Sequence, residues 1–253
     1  MQPPVSFDRV AGEYDATRSL PAELREFAVH TLVGRIAGGS LFEAGVGTGR
    51  LSGPLQEAGV NVTGCDVSAA MLATARGKGV RRLIRADLRL LPFRDGSFDC
   101  AMTNHVLHLV ADWRQGFAEV ARVARREYLS VLQRSTFVPN LSEEYHRIAE
   151  REGFPARHSG LRERDLPDRL PPDHVDRSPS LHREFTTDLA IDRLRSRTYS
   201  TQWQIPDAPH EVAVAELRTA YAGRTVREEV RLEVAAWNVT RVHDFLRALT
   251  DST

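Results

Sequence analysis

Three acids and three closely spaced glycines are the residues of this chain whose types and spacing could do chemistry. Glu43-Ala44-Gly45-Val46-Gly47-Thr48-Gly49 stands where an apolar run, Ser40–Ala44, gives way to a helical pattern. Glycine lets the backbone take positive φ and lets a ligand approach the main chain closely. The spacing is G-x-G-x-G. A dinucleotide fingerprint, G-x-G-x-x-G, would need its third glycine at position 50, which is Arg50. The turn therefore favours a mononucleoside over a pyrophosphate seated on the helix. Asp66 ends the next apolar run, where a carboxylate can accept hydrogen bonds from both hydroxyls of a ribose. Asp87 ends the run after that, where it can accept from an exocyclic amine such as that of adenine. Each acid alone is a common turn or cap residue; it is the set that points to a nucleoside.

These residues need strands and helices to hold them, and the first half of the chain supplies both. Leu24, Ala28, Leu32 and Ile36 recur every four residues after Pro21 and predict a helix that ends at Gly38-Gly39. Ser40–Ala44, Val60–Asp66, Arg82–Ala86, Phe98–Asn104 and Tyr128–Leu132 read as strands. Helices are expected between them, around Leu51–Ala58, after an N-cap at Ser68, and after an N-cap at Asp112. Strand and helix alternating at this spacing imply a parallel sheet with helices on both faces.

After Gln133 the pattern weakens. Six prolines fall between 135 and 179, and only Leu141–Phe154 reads clearly as a helix. Residues 135–178 are expected to be largely loop, of the kind that serves as a lid. Leu181–Thr187 follows as a strand, with helices at Asp188–Ser196 and Glu211–Ala222. Val226, Val230, Leu232 and Val234 alternate with Arg227, Glu229, Arg231 and Glu233 as a half-buried strand, and Val242, Phe245, Leu246 and Leu249 mark a last helix. The expectation is a single domain over 1–253 with an inserted cap or substrate lid at 135–205.

Composition bounds the partners. The 253 residues carry 34 basic and 34 acidic side chains, so net charge gives no reason to expect a nucleic acid or an anionic membrane. Lys78 is the one lysine. No stretch approaches the roughly 20 apolar residues of a membrane span. The opening MQPPVSFDRVAGEYD lacks the basic and apolar regions of a signal peptide, so a cytoplasmic protein is expected. Cys65 and Cys100 fall in apolar runs and are expected to be reduced, buried thiols. No Cys/His set has metal-ligand spacing, so no metal is expected.

With these residues in view, the sequence resembles the class I S-adenosylmethionine-dependent methyltransferases. It is most similar to the small-molecule group that includes the ubiquinone and menaquinone biosynthesis enzymes. LFEAGVGTGR (41–50), VTGCDVSAAML (62–72), ADLRLLPFRDGSFD (86–99) and NHVLHLVADWRQGFAEVARV (104–123) carry the resemblance, with FDRVAGEYDATR (7–18) similar to the group's opening segment. It covers residues 5–132 well and thins afterwards. It implies a Rossmann-like α/β fold with a seven-stranded, mostly parallel sheet, an antiparallel last strand and the cap inserted after strand 5. It implies S-adenosylmethionine as cofactor and S-adenosylhomocysteine as product. Glu43, Gly45, Gly47 and Gly49 would surround the methionine part. Asp66 and Val67 would lie at the ribose, and Met71 would cover an adenine face. Asp87 and the Leu88 amide would bind adenine, with Asn104 and His105 beside the sulfonium. Tyr14 and Arg18 would close over the carboxylate end. Two departures stand out: Val46 replaces a cysteine frequent in this turn, and RVARREYLSV (122–131) lacks the usual Pro-Gly-Gly turn.

The sulfonium of such a cofactor is already electrophilic, so a protein contributes mainly in-line positioning and exclusion of water. A general base helps where the acceptor keeps its proton. No catalytic residue is assigned by the sequence. His105, Tyr14 and Tyr199 are the candidates, with His108 and His146 behind them. Arg193, Arg195 and Arg197 sit among Asp188 and Asp192 and read as a solvated helix face. The reading is methyl transfer to a small-molecule acceptor by in-line displacement. An RNA methyltransferase acting on a modified tRNA base and a non-catalytic S-adenosylmethionine-binding protein are the alternatives. Oligomeric state is not legible.

Overall fold

A computed structural model describes residues 7, 8, 15, 20–156 and 158–251 of the chain. It divides into two compact units. Unit 1 comprises Met1–Gln133, Ser159–Ser178 and Leu232–Thr253; unit 2 comprises Arg134–His158 and Pro179–Arg231.

Unit 1 is built on a sheet. Its strands are β1 (Ser40–Ala44), β2 (Asn61–Asp66), β3 (Leu83–Arg85), β4 (Phe98–Thr103), the first part of β5 (Ala124–Val138), β6 (His174–Arg177) and the second part of β8 (Thr225–Asn238). They lie in the order β3-β2-β1-β4-β5-β8-β6. β1 pairs in parallel with both β2 and β4, β2 with β3, and β4 with β5, whereas β6 runs antiparallel to β8. The mostly parallel Rossmann-like sheet with an antiparallel pair is the expected one. Leu41, Phe42, Glu43 and Ala44 are buried in succession, so both faces of β1 are covered, as a parallel sheet requires. The chain runs outward from β1 to β3 and returns beyond β1 at β4. Ligands collect at the carboxyl ends of strands on either side of such a reversal.

The helices of unit 1 follow the sequence pattern. In α1 (Ala22–Ile36) the buried residues are Leu24, Ala28, Leu32 and Ile36, the predicted stripe. α2 (Ser52–Glu57) follows the glycine turn. α3 (Ala69–Gly77) is capped by Ser68, whose hydroxyl accepts from Met71 N–H at 3.1 Å. α4 (Trp113–Arg122) is capped by Asp112 accepting from Gln115 N–H at 3.2 Å. Phe117 and Val120 of α4 are fully buried with Tyr128 and with Trp237 of β8. At the amino ends of the strands Asp99 accepts from Ser40 N–H and from Arg125; the Ser40 N–H first, and then the guanidinium, hold its carboxyl down at about 2.

Residues 159–178 differ from the loop expected there. Leu161, Leu166 and Leu170 are buried in the same core as β1 and α4, through a 3-10 turn at Glu163–Asp165 and a short helix. The short helix is labelled α6 (Leu166–Arg169), and Trp237 Nε1 donates to Leu170 O at 2.7 Å. Prolines at 167, 171 and 172 masked this in the sequence, because the apolar residues recur without a sustained period.

Unit 2 holds α5 (Leu141–Arg151), β7 (Leu181–Thr186), α7 (Thr187–Arg195), α8 (Asp207–Tyr221) and the first part of β8, which pairs antiparallel with β7. Tyr145, Ile148, Ile191, Leu194, Ala213 and Leu217 form its core. Tyr145 OH lies 2.6 Å from His210 Nδ1, and His210 Nε2 lies 3.1 Å from Arg195 O, so the ring carries its hydrogen on Nε2. α9 (Val239–Asp251) closes the described chain in unit 1. No helix among the described residues is long and apolar enough to cross a membrane.

Gly160 tests how tightly the 159–170 segment is held. A Cβ there would lie 2.2 Å from Leu107 O and 2.3 Å from Val110 O, both backbone atoms. Gly160→Ala is expected to cost about 1–3 kcal/mol in denaturant unfolding. An unchanged midpoint would mean that the segment does not pack there.

Candidate functional site

The glycine turn follows β1 at the sheet's reversal. Val46 N–H donates to Cys65 O at 2.8 Å and ties the turn to β2. Gly45 has φ 71°, and a Cβ on it would lie 2.5 Å from Val106 Cγ2. The loop after β4 therefore rests directly on Gly45. Gly47 has φ 54° and faces open space, since a Cβ there meets nothing within 4 Å. Gly49 packs against Ala75 and Val80. One open glycine thus lies between two packed ones.

Asp66 points into this turn. Its Oδ2 accepts from Gly47 N–H at 2.9 Å, and its Oδ1 from Ser68 N–H at 2.9 Å. Burial raises its pKa against the lowering effect of these backbone donors. A carboxylate has about four acceptor sites, so these bonds leave room for a further donor. Asp87 is different. Arg89 Nε lies 3.1 Å from both of its oxygens, Arg89 Nη2 lies 2.6 Å from Oδ2, and Arg89 N–H donates to Oδ1 at 2.9 Å. The Arg89 guanidinium holds the Asp87 carboxyl below its usual value. Arg89 is buried, which its place in the loop sequence DLRLL did not signal.

The other expected residues fall as follows. Glu43 is buried, and Ser52 Oγ donates to its Oε2. Val67 is half-buried, with its carbonyl accepting from Arg85 Nε at 3.0 Å. Met71 is 2% exposed and part of the interior. Leu88 is buried, and its side chain fills the space beside Gly116. Asn104 is half-buried, and His105 is exposed with φ 58°. A left-handed backbone costs a residue bearing a Cβ on the order of 1–2 kcal/mol, so the loop after β4 is held by its surroundings. Tyr14 and Arg18 lie outside the described residues. Tyr199 belongs to unit 2, partly buried against its core, with its N–H donating to Gln202 Oε1 at 3.0 Å. His146, also in unit 2, lies 3.2 Å from Thr201 Oγ1 through Nε2. Arg193 stacks over Phe185, Arg195 lies near Asp192, and Arg197 pairs with Asp207.

Several site residues escaped the sequence reading. Asp8 accepts from Ser68 Oγ at 2.5 Å, and Asp15 accepts from Thr48 Oγ1 at 2.6 Å while pairing with Lys78. Asp15 is thereby tied to the glycine turn and Asp8 to the start of α3. Glu163 is buried, and its Oε1 accepts from Val106 N–H at 2.5 Å and Leu107 N–H at 2.8 Å. It stands in the charged run RERD, where nothing in the pattern separates it from solvated neighbours.

Comparison with known proteins fits this geometry. Residues 42–129 match the family model described as a methyltransferase domain. The chain is 32% identical over 127 residues to demethylmenaquinone methyltransferase of Clavibacter sepedonicus, covering 47% of this chain and 52% of that protein. It is 32% identical over 121 residues to malonyl-[acyl-carrier protein] O-methyltransferase of Salmonella typhimurium, covering 47% of this chain and 48% of that one. The chain spans about half the length of these curated relatives. The YcgJ protein of Bacillus subtilis shares the fold, with a TM-score of 0.51 at 18% identity over 84% of this chain and 98% of that one. The open face of Gly47 lies beside the Asp66 carboxylate, which accepts from its N–H.

Glu43 gives the domain a pH signature. Burial pushes its carboxyl up to about 7, against the Ser52 hydroxyl and Arg50. The unfolded chain loses this proton near the ordinary glutamate value, whereas the folded protein keeps it until about pH 7. The folded state is therefore favoured below the unfolded pKa and loses stability as pH rises to 7. Glu43→Gln is expected to flatten that slope by on the order of 3 kcal/mol between pH 4.5 and 7, read by denaturant unfolding. The same slope in parent and variant would place its origin elsewhere.

Proposed function

We propose that this protein transfers the methyl group of S-adenosylmethionine to a small-molecule acceptor. The observation that carries the reading is the Asp66 carboxylate bound to Gly47 N–H beside an open glycine face. An acid at the end of β2, joined to the turn after β1, offers acceptors for ribose hydroxyls next to a backbone that leaves room for the ligand. Glu43 and the turn would hold the methionine part, Asp66 the ribose, and Asp87 with the Leu88 amide the adenine. In this reading Arg89 orients the Asp87 carboxylate, which shares its oxygens between the guanidinium and the base. Tyr14 and Arg18 complete the proposed contacts, with Asn104 and His105 at the sulfonium end.

The bound cofactor supplies an electrophilic methyl on a positively charged sulfur. The protein's part is to fix the acceptor in line with that methyl and to exclude water. His105, exposed after β4, is the candidate in unit 1 for taking a proton from an acceptor that keeps one; Tyr14 and Tyr199 share that candidacy. The same reading takes the chain as one cytoplasmic methyltransferase, with the cap expected at 135–205 reduced to its unit 2 parts because residues 159–178 belong to unit 1. Free, buried Cys65 and Cys100 agree with a reducing compartment.

Calorimetry with S-adenosylmethionine, S-adenosylhomocysteine and NAD tests the cofactor. The first two are expected to bind and NAD is not. Asp66→Ala should weaken S-adenosylhomocysteine by about 1–3 kcal/mol, because it removes a charged acceptor and strands Gly47 N–H. Unchanged affinity in that variant, or binding of NAD alone, would refute the site. Transfer of labelled methyl into the small-molecule fraction of a cell extract, and not into its RNA, tests the acceptor class.

A further inference from the structure

We infer that Glu163 is a positioning residue of the cofactor site: its buried carboxylate holds the loop after β4 against the glycine turn. The inference rests on the site reading given above and adds a residue that lies about 60 positions away from that loop in sequence. Glu163 Oε1 accepts from the consecutive amides of Val106, at 2.5 Å, and Leu107, at 2.8 Å. Oε2 lies 3.6 Å from His108 Nδ1. The carboxylate therefore grips three of the four residues 105–108 and leaves His105 at the loop's exposed tip. Val106, held by its amide, is the residue whose side chain occupies the space that Gly45 leaves free. One residue thus separates Glu163 from the turn that would surround the methionine part.

The left-handed backbone of His105 needs such an anchor. With φ at 58° it would relax if the two following amides were released. Gly160 N–H donates to His108 O at 3.0 Å, so the segment that carries Glu163 is itself fastened to the same loop. The carboxylate is kept ionised in this setting. Burial raises its pKa, but the imidazoles of His108 and His105 and the Leu107 N–H outweigh burial and hold it below the ordinary glutamate value. An ionised acceptor makes the stronger bonds to the two N–H groups.

The test compares three variants in two assays, S-adenosylhomocysteine binding by calorimetry and hydrogen exchange of the Val106 and Leu107 amides without ligand. Glu163→Ala should weaken S-adenosylhomocysteine at least tenfold and speed exchange of both amides at least tenfold. Glu163→Gln keeps an oxygen that can accept from both amides, and should stay within threefold of the parent in each assay. Should Glu163→Ala fail to fold, Glu163→Asp gives the same contrast: its shorter reach should weaken binding at least fivefold while charge is retained. Glu163→Ala binding within twofold of the parent, or unchanged exchange at 106 and 107, would overturn the inference. A merely structural glutamate would lower the melting point without this local and Gln-rescued pattern. If the parent bound no S-adenosylhomocysteine, the site reading would fall, while the exchange assay would still decide whether Glu163 holds the loop.

Discussion

The Asp66 carboxylate joins the glycine turn to the end of β2 and the start of α3, 19 residues further along the chain. It ends β2, accepts from Gly47 in the turn after β1, and accepts from Ser68, where α3 begins. Each bond satisfies a backbone N–H that no strand or helix would otherwise satisfy. Burial works against the charge, and the backbone donors restore part of what burial takes away. The turn needs this help. Its glycines adopt positive φ, and the acid adds a fixed acceptor at Gly47 to the Val46 N–H bond to Cys65 O and the packing of Gly45 and Gly49. With that acceptor in place, the open side of Gly47 is a defined surface.

Asp66 and Asp87 look equivalent in the sequence, as acids ending successive strands. The structure separates them by their partners. Asp66 meets backbone N–H groups and keeps lone pairs in reserve. Asp87 meets a buried guanidinium that approaches both oxygens. A fork of this kind fixes the carboxylate plane more firmly than single bonds do, and it also competes for the same oxygens. A donor brought to Asp87 would meet an acid already oriented and partly neutralised, whereas one brought to Asp66 would meet an acid bonded only to backbone N–H groups.

The parts of the fold that were legible are those where a local period decides burial. The stripe of α1, the caps at Ser68 and Asp112, and β1, β2 and β4 all follow from neighbours within a few residues. What escaped depended on distant partners. β5 was read as Tyr128–Leu132 but runs from Ala124 to Val138, because pairing extends past its apolar centre. β6, with the sequence HVDR, has no apolar run of its own and exists through its pairing with β8. Glu233 was taken as the exposed half of an alternation, yet it is buried and paired with Arg177. β8 has neighbours on both edges there, so Ala235, Ala236 and Trp237 are buried in succession and the alternation ends. The same holds for the site. Glycines and strand-end acids announce themselves by spacing. Glu163 and Arg89 are ordinary charged residues until the fold closes over them.

Two glutamates of unit 1, Glu43 and Glu163, are buried to the same degree and titrate in opposite directions. Desolvation is the largest influence on both, so the difference lies in what else each one meets. Glu43 has the Ser52 hydroxyl and the charge of Arg50, but the Asp66 carboxylate stands near enough to oppose its ionisation. Glu163 has two backbone donors, two imidazoles and no acid among its main influences. One carboxyl is therefore close to changing its charge at neutral pH, and the other is fixed as an anion. The fixed charge suits a structural anchor, since a bond that came and went with pH would release the loop. The labile one lies beside the turn, where a cationic ligand group would favour its ionised form and a neutral one would not. Burial alone sets neither role; the donors gathered around each carboxyl by the fold decide which of the two it plays.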